Sequence, residues 1–365
     1  MSTFAPEFKL TMEIKAVFAE RFKSARLMKG FSLQDLADAL DSQLSRQALH
    51  RYEKGDVIPD AEKINLLSKA LNVSPDYFFR TTKVELSEIE YRKLSKMPQK
   101  EASIIKEKTK EYLSRYLELE EILGLPNEFI NHLMDFEIVT SYEQVNKAAE
   151  LLRNKWNLGN GALFNVVEIL EDKNIKVVKL DVDEDFDGLQ TFVNDTIPVV
   201  AYNSNKANKP DRIRLTLLHE LAHLLLTFGD ISLKQKETLC FQFAGAMLLP
   251  EETIKAELGV HRNKLSTMEL GNIKKQYGIS MQAIVMRAKD CNIINEHYTK
   301  QFFFFIKQMN WKVDEPVEYI GAEESNRFEQ LLFRALMEDQ ISMSKAASLS
   351  NQSLVEFRKQ HQPMF

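Results

Sequence analysis

Apolar positions along this chain follow more than one period, and the order in which the periods occur divides it. From Ile14 to Phe79 they recur at helical spacing in short runs with marked stops. The first run, near Val17 to Met28, ends at Gly30. Ser32 precedes Leu33 to Leu40, and Asp35 completes the Ser-x-x-acid arrangement of a capping box. Ser45 to Lys54 forms a third run that stops at Gly55, Pro59-Asp60 opens a fourth, and Asn72-Val-Ser-Pro75 leads into Tyr77 and Phe78. This spacing predicts five short helices. A charged stretch follows from Glu85 to Leu125, within which Ile105, Tyr112, Tyr116, Leu119 and Leu123 keep helical spacing. One long linking helix is expected there, its stripe packing on the domain that follows or pairing two chains, with packing within one chain the favoured option.

Beyond the linker the period changes. Ile175 to Leu180 reads as a strand, and Arg214 to Thr227 and Glu237 to Pro250 as apolar helices. Leu270 to Tyr277, then Met281 to Ala288 capped by Ser280, predict a helical hairpin. Phe302 to Phe305 are too short a run for a bilayer and are expected as a buried strand or helix segment. A helical tail is expected from about Pro316, with Ile341 to Ala347, Leu349 and Phe357 forming a small helix-turn-helix-like end module.

The candidate chemistry lies in the first of the two apolar helices. His219, Glu220 and His223 make an H-E-x-x-H pattern. One helical turn separates the imidazoles, so both face one way and can hold one zinc ion, with manganese as the alternative, while Glu220 can reach a water on that ion. Chance alone would give such a match at on the order of one per cent, so the bare pattern is a moderate signal. Its setting strengthens it: Leu215, Leu218, Leu221, Ala222, Leu225 and Leu226 make the helix largely buried, where two histidines and a glutamate are costly unless bound to something. A pair of hydrogen-bonded core histidines is the plainer alternative, and it leaves the buried glutamate unexplained. A tetrahedral ion needs a third protein ligand, and Glu237, opening the next helix, is the choice; Asp230 and Glu251 are its rivals. Cys240 is a softer ligand, more often a small core residue. The chemistry such a set supports is metal-assisted hydrolysis, with Glu220 as general base and then acid. His261, Tyr202 and Tyr277 are candidate donors to an oxyanion.

The N-terminal helices fit a helix-turn-helix whose second helix enters the major groove. Ala48, Leu49 and Tyr52 would face the core. Ser45, Arg46, Gln47 and His50 would face DNA, with Arg51 and Lys54 toward the flanks and Gln34 holding a phosphate. A docking domain that has kept the fold without DNA is the alternative, since acidic and basic residues nearly balance across the segment. One small module makes few phosphate contacts, which favours a homodimer on double-stranded operator DNA.

Two resemblances follow from these residues. Arg214 to Pro250 resembles the ImmA/IrrE-type metallopeptidases, whose pattern is R-x-x-x-x-H-E-x-x-H followed by E-x-x-A-x-x-F-A-x-x-x-L-x-P; here the second part reads Glu237, Cys240, Phe243, Ala244, Leu248 and Pro250. Trp156-Asn-Leu-Gly159, Ile175 to Leu180, Phe186-Asp-Gly188 and Ile197 to Tyr202 occur in that family's order, so the likeness spans roughly 140 to 295. Cys240 stands where the family usually has Ala, and Phe241 where it usually has Asn or Asp. The resemblance implies a zinc-dependent endopeptidase that cuts a repressor or antitoxin-like partner in response to a signal. Residues 14 to 79 resemble the Cro/C1 (XRE) repressors, including the Ser45-x-x-Ala-Leu-x-x-Tyr-Glu-x-Gly55 core.

The expected fold class is multi-domain and mainly α. It comprises an all-α five-helix helix-turn-helix domain (1–82), a helical linker (83–135), an α+β zincin-like peptidase domain with a small β-sheet (136–300) and a helical C-terminal region (301–365). Net charge is −5, which excludes neither DNA nor protein partners. No run is long enough for a membrane span and no apolar N-terminal segment suggests export. Cys240 and Cys291 give no disulfide framework, in keeping with a cytoplasmic location. The expected function is a DNA-binding regulator with a peptidase domain that cuts a partner or the chain itself. Its alternatives are a transcription factor whose peptidase-like domain senses a metal or small molecule without turnover, and the antitoxin half of a toxin and antitoxin pair.

Overall fold

A computed structural model describes residues 5–81, 84–87, 97–183, 186–205 and 208–361, with side chains from Met12 onward. The expected boundary at 82–83 lies outside the described residues. The chain forms two compact units. The first contains residues 1–86, 91–126 and 326–365, the second 87–90 and 127–325. The fold is mainly helical, with one three-stranded sheet among the described residues. No described helix is long and apolar enough to cross a membrane.

In the first unit, α1 (Ala5–Met28) begins well before the expected Val17, because nothing between Pro6 and Gly30 stops a helix. Its Phe18, Phe22 and Ala25, spaced four and three apart, are fully buried. α2 (Leu33–Ala39) starts at the Ser32 capping box: the hydroxyl accepts from Asp35 N at 3.0 Å and the Asp35 carboxylate from Ser32 N at 2.7 Å. α3 (Arg46–Glu53) and α4 (Ala61–Leu71) are capped by Ser45 and Asp60, and a 3-10 turn (Pro75–Phe79) closes the series. Leu36, Leu49, Tyr52, Leu67, Leu71, Tyr77 and Phe78 complete one core around the α1 phenylalanines.

The linking helix, α5 (Gln99–Ile122), packs along α1. Its buried Glu111 takes Arg21 at 2.6 Å, Arg80 in close contact and Arg115 at 3.5 Å. One carboxylate thus ties α1, the end of the 3-10 turn and α5 together.

In the second unit, α6 (Tyr142–Lys155) and α7 (Val166–Asp172) precede the sheet. Strands β1 (Lys176–Leu180), β2 (Gly188–Val193) and β3 (Ile197–Asn203) lie in the order β1-β3-β2, β1 parallel and β2 antiparallel to β3. Asn194 and Asp195, both with positive φ, make the tight turn between β2 and β3. The long apolar helix α8 (Pro210–Leu225) packs on β2 and β3 and against α9 (Leu233–Leu248), which also meets α6. Four further helices follow: α10 (Glu251–Leu258), α11 (Thr267–Tyr277), α12 (Met281–Asp290) and α13 (Glu296–Gln308).

The aromatic run Phe302 to Phe305 lies in α13, but it is not buried throughout. Phe302 faces the core and Phe304 is 63 % exposed, because successive helical residues point in different directions. The helical tail expected from about Pro316 begins only at Arg327. Residues 312–326 form a strap without regular structure. Glu315 accepts from Met281 N (2.9 Å) and Gln282 N (3.2 Å) at the start of α12, and Glu323 from Val166 N (2.7 Å) at the start of α7. Backbone amides at helix starts and the helix dipole make both ends suited to a carboxylate.

After the strap the chain returns to the first unit. There α14 (Arg327–Met337), α15 (Met343–Leu349) and α16 (Leu354–His361) form a small helical module on α5. Leu331, Leu332, Ala335, Ala346, Leu349 and Phe357 enclose Tyr116 and Leu119. Arg115 Nη1 donates to Leu349 O at 2.8 Å, and Lys345 pairs with Glu118. The stripe of the linking helix is therefore covered within the chain.

Glu111→Gln should cost about 3 kcal/mol, because three arginines would then face a neutral group in a buried cluster. The readout is the urea midpoint of the first unit followed by circular dichroism. A change below ~0.5 kcal/mol would show that the cluster contributes little.

Candidate metal centre and helix-turn-helix surface

His219 and His223 project from the same face of α8, one turn apart, with their Nε2 atoms 3.3 Å from each other. Glu237 comes from the start of α9, whose own first turn is fixed by the capping box of Ser232 and Gln235. Its Oε2 lies 3.2 Å from His219 Nε2 and its Oε1 3.4 Å from His223 Nε2. These three edges of 3.2 to 3.4 Å are close to those of a tetrahedron with bonds of about 2.0–2.1 Å, whose edges come to about 3.3–3.4 Å. Two imidazole nitrogens and a carboxylate are also the donor set of an open zinc site, so the residues fit such an ion. No other group of three His, Cys, Asp or Glu with metal-ligand spacing occurs among the described residues.

The group is closed on one side and open on the other. The side chains of His219 and His223 are 3 % and 2 % exposed, that of Glu237 44 %. Hydrogen bonds from His219 and then His223 hold the Glu237 carboxyl well below the usual carboxylate range. Behind the pair, Cys240 Sγ lies 3.6 Å from His223 Nδ1, the ring nitrogen away from Glu237. Cys240 thus meets the back of a histidine, where a polar group fixes ring orientation. The ring of Phe241 lies 4.1 Å from that of His219, so an aromatic face packs on one imidazole at the position where the resembled family has a polar side chain.

Glu220 is buried beside β2. A Cβ at Gly188 would lie 2.8 Å from Thr216 Cγ2 and 3.2 Å from Glu220 Cγ, so only glycine lets the strand approach α8 this closely. In the sequence Gly188 stands out only as the end of Phe186-Asp-Gly188; a glycine opening a strand is the signal it carries. On the same helix Arg214 is fully buried, 2.9 Å from Glu323 and donating to Leu163 O (2.7 Å) and the Tyr319 hydroxyl.

The rival ligands lie elsewhere. Glu251 pairs with Lys255 and accepts from Asn146 Nδ2 at 3.1 Å, and Asp230 is exposed in the loop before α9. Of the candidate oxyanion donors, Tyr277 donates its hydroxyl to Glu257 at 2.9 Å, Tyr202 is buried on β3 with its pKa pushed up to about 12 by burial, and His261 is exposed after α10.

In the first unit, Arg46, Gln47, His50, Arg51 and Lys54 are all exposed on or at the end of α3, while Leu49 and Tyr52 are buried and Ala48 half-buried. Ser45 caps the helix, accepting from Ala48 N at 3.2 Å, and Gln34 donates to Asp38 at 2.8 Å. The acidic residue of α3, Glu53, is drawn into a two-bond pair with Arg26 (2.8 and 2.9 Å). The outer face of α3 is left basic.

These features define two kinds of domain on one chain. Residues 22–78 match the helix-turn-helix family, and residues 170–289 match a peptidase family described as the IrrE N-terminal-like domain. The chain thus carries an N-terminal helix-turn-helix domain of XRE type and an IrrE/ImmA-like domain. One relative is the SPbeta prophage-derived uncharacterized HTH-type transcriptional regulator YonR of Bacillus subtilis (strain 168), 39 % identical over 66 residues. The match takes in 18 % of this chain and 59 % of that protein.

If the triangle of donors holds a divalent ion, Glu237→Ala should weaken its uptake by more than about a hundredfold, the upper end of what loss of a supporting group alone costs. Cys240→Ser should change it less than about tenfold. Chelator competition measures both, and equal effects would remove Glu237 from the ligand set.

Proposed function

We propose that the chain is a DNA-binding transcriptional regulator whose second unit is a zinc-dependent endopeptidase, cutting a partner repressor, an antitoxin-like protein or the chain itself when a signal arrives. The triangle formed by His219, His223 and Glu237 carries this reading, because its edges suit one small tetrahedral ion and its open side leaves room for substrate. Zinc, or manganese in its place, would supply Lewis acidity to polarise the scissile carbonyl. Glu220, on the same helix between the two histidines, takes the proton from the attacking water and returns it to the leaving amine. Glu237 remains anionic and balances the charge of the ion.

The exposure of Arg46, Gln47, His50, Arg51 and Lys54 supports DNA binding; in this reading Arg46 and Gln47 read base edges beside His50, and Arg51 and Lys54 meet phosphates. The word regulator in the name of the relative agrees with it. A homodimer would supply the second half-site, and a regulator of this kind works in the cytoplasm. Phe241 on His219 favours a second reading, in which the unit holds an ion as a sensor and performs no turnover.

Labelling new protein N-termini in cells expressing either wild type or Glu220→Gln separates these readings. A set of cleavage products present with wild type and reduced about a thousandfold with the variant is expected. Identical sets would support the sensor. For the first unit, Arg46→Ala should weaken binding to a selected operator duplex by about ten- to a hundredfold, read by fluorescence anisotropy at fixed salt. Unchanged affinity would remove α3 from the interface.

A further inference from the structure

Helices α15 and α16 repeat, near the other end of the chain, the local build of α2 and α3. Each pair has a first helix of seven residues and a second of eight. Every one of the four follows a capping serine: Ser32 and Ser45 in the first pair, Ser342 and Ser353 in the second. The first helices also end alike. Ala37 O accepts from Ser42 N at 3.0 Å and Asp38 O from Asp41 N at 3.0 Å, while Ala347 O accepts from Gln352 N at 3.0 Å and Ser348 O from Asn351 N at 3.1 Å. Asp41 and Asn351 both take positive φ at that point, 49° and 54°. Ser350 to Ser353 then join α15 to α16, a length of turn that sets two helices across each other. In both second helices the residue four places after the capping serine, Leu49 or Phe357, is fully buried.

This register sets Val355, Arg358 and Lys359 of α16 at the places that Gln47, His50 and Arg51 hold on α3. All three are exposed, Val355 at 77 %. Gln360, also exposed, stands where α3 has the buried Tyr52. The acid of α16 is engaged at its own helix start, since Glu356 accepts from Ser353 N at 3.0 Å and from the Ser353 hydroxyl at 2.7 Å. Arg358 Nε lies 3.4 Å from Met343 Sδ, a weak acceptor that leaves the charge for a partner. The outer side of α16 thus presents two cations and an amide behind an apolar side chain at the helix start. Packing on α5 accounts for Leu349 and Phe357, but not for this face or for the repeated turn.

We propose that α14 to α16 form a second DNA-binding module, with α16 entering a major groove. Val355 meets a thymine methyl group, and Arg358 and Lys359 meet the flanking phosphates. The proposal extends the DNA-binding reading of the first unit without depending on α3.

The test uses the full chain and duplexes that it selects from a random-sequence library. Hydroxyl-radical footprinting maps the contacted segments, and fluorescence anisotropy at several salt concentrations gives affinity. Protection should fall into two kinds, segments weakened by Arg46→Ala and segments weakened by the double variant Arg358→Ala with Lys359→Ala. The double variant should also lower the salt slope by about two and the affinity by about tenfold. Val355→Glu, which keeps both cations and adds a negative charge at the start of α16, should weaken the same segments. A footprint and salt slope that the double variant leaves unchanged would overturn the second module and leave α3 as the interface. A footprint that depends on α16 and is indifferent to Arg46 would support the second module and overturn the reading of α3. Failure to select any duplex would overturn both.

Discussion

The second unit is organised by the cost of keeping ionisable side chains on a helix that is otherwise core. Arg214, His219 and Glu220 all lie buried on α8, and an unpartnered buried charge costs several kcal/mol. The answers come from distant parts of the chain: Glu237 to the histidines, Leu163 and the strap residues Tyr319 and Glu323 to Arg214. The strap earns a second structural role, since Glu315 and Glu323 also satisfy the opening amides of α12 and α7. A helix able to present metal ligands thus depends on a segment about a hundred residues downstream with no regular structure of its own.

Local signals made much of this legible in the sequence. Ser32 with Asp35 at α2, Asp60 at α4 and Ser280 at α12 act within one turn, and each starts its helix where the pattern predicted. The nearness of Glu237 to the histidines was suggested by the apolar character that α9 shares with α8, although α9 begins at Leu233, four residues before Glu237, rather than at Glu237 itself. Contacts between residues far apart left no such mark. Nothing in the run Glu315 to Asn326 announces that Glu315 and Glu323 cap the first turns of helices elsewhere, and the helical expectation from Pro316 to Asn326 failed for that reason. Phe302 to Phe305 failed differently: four adjacent aromatics suggested burial, but a helix turns them to different sides.

Charge shows the same limit of summation. The near balance of acids and bases over the N-terminal helices suggested a weak electrostatic surface. Structure removes Glu53 from that sum by pairing it with Arg26, so the side of α3 that meets solvent is more basic than its composition. What a ligand meets is the charge left after internal pairing.

The first unit is discontinuous in sequence: α14 to α16, which cover Tyr116 and Leu119 of α5, follow residues 127–325 of the second unit. On a ribosome, therefore, the core of α1 to α4 can close early, but the linking helix must wait with its apolar stripe uncovered until the last part of the chain emerges. Translation order makes the completed first unit a report that the whole second unit has already been synthesised. A chain ending before Arg327 would retain the basic helix and every metal-ligand candidate, yet carry an exposed apolar stripe of the kind that chaperones and proteases recognise.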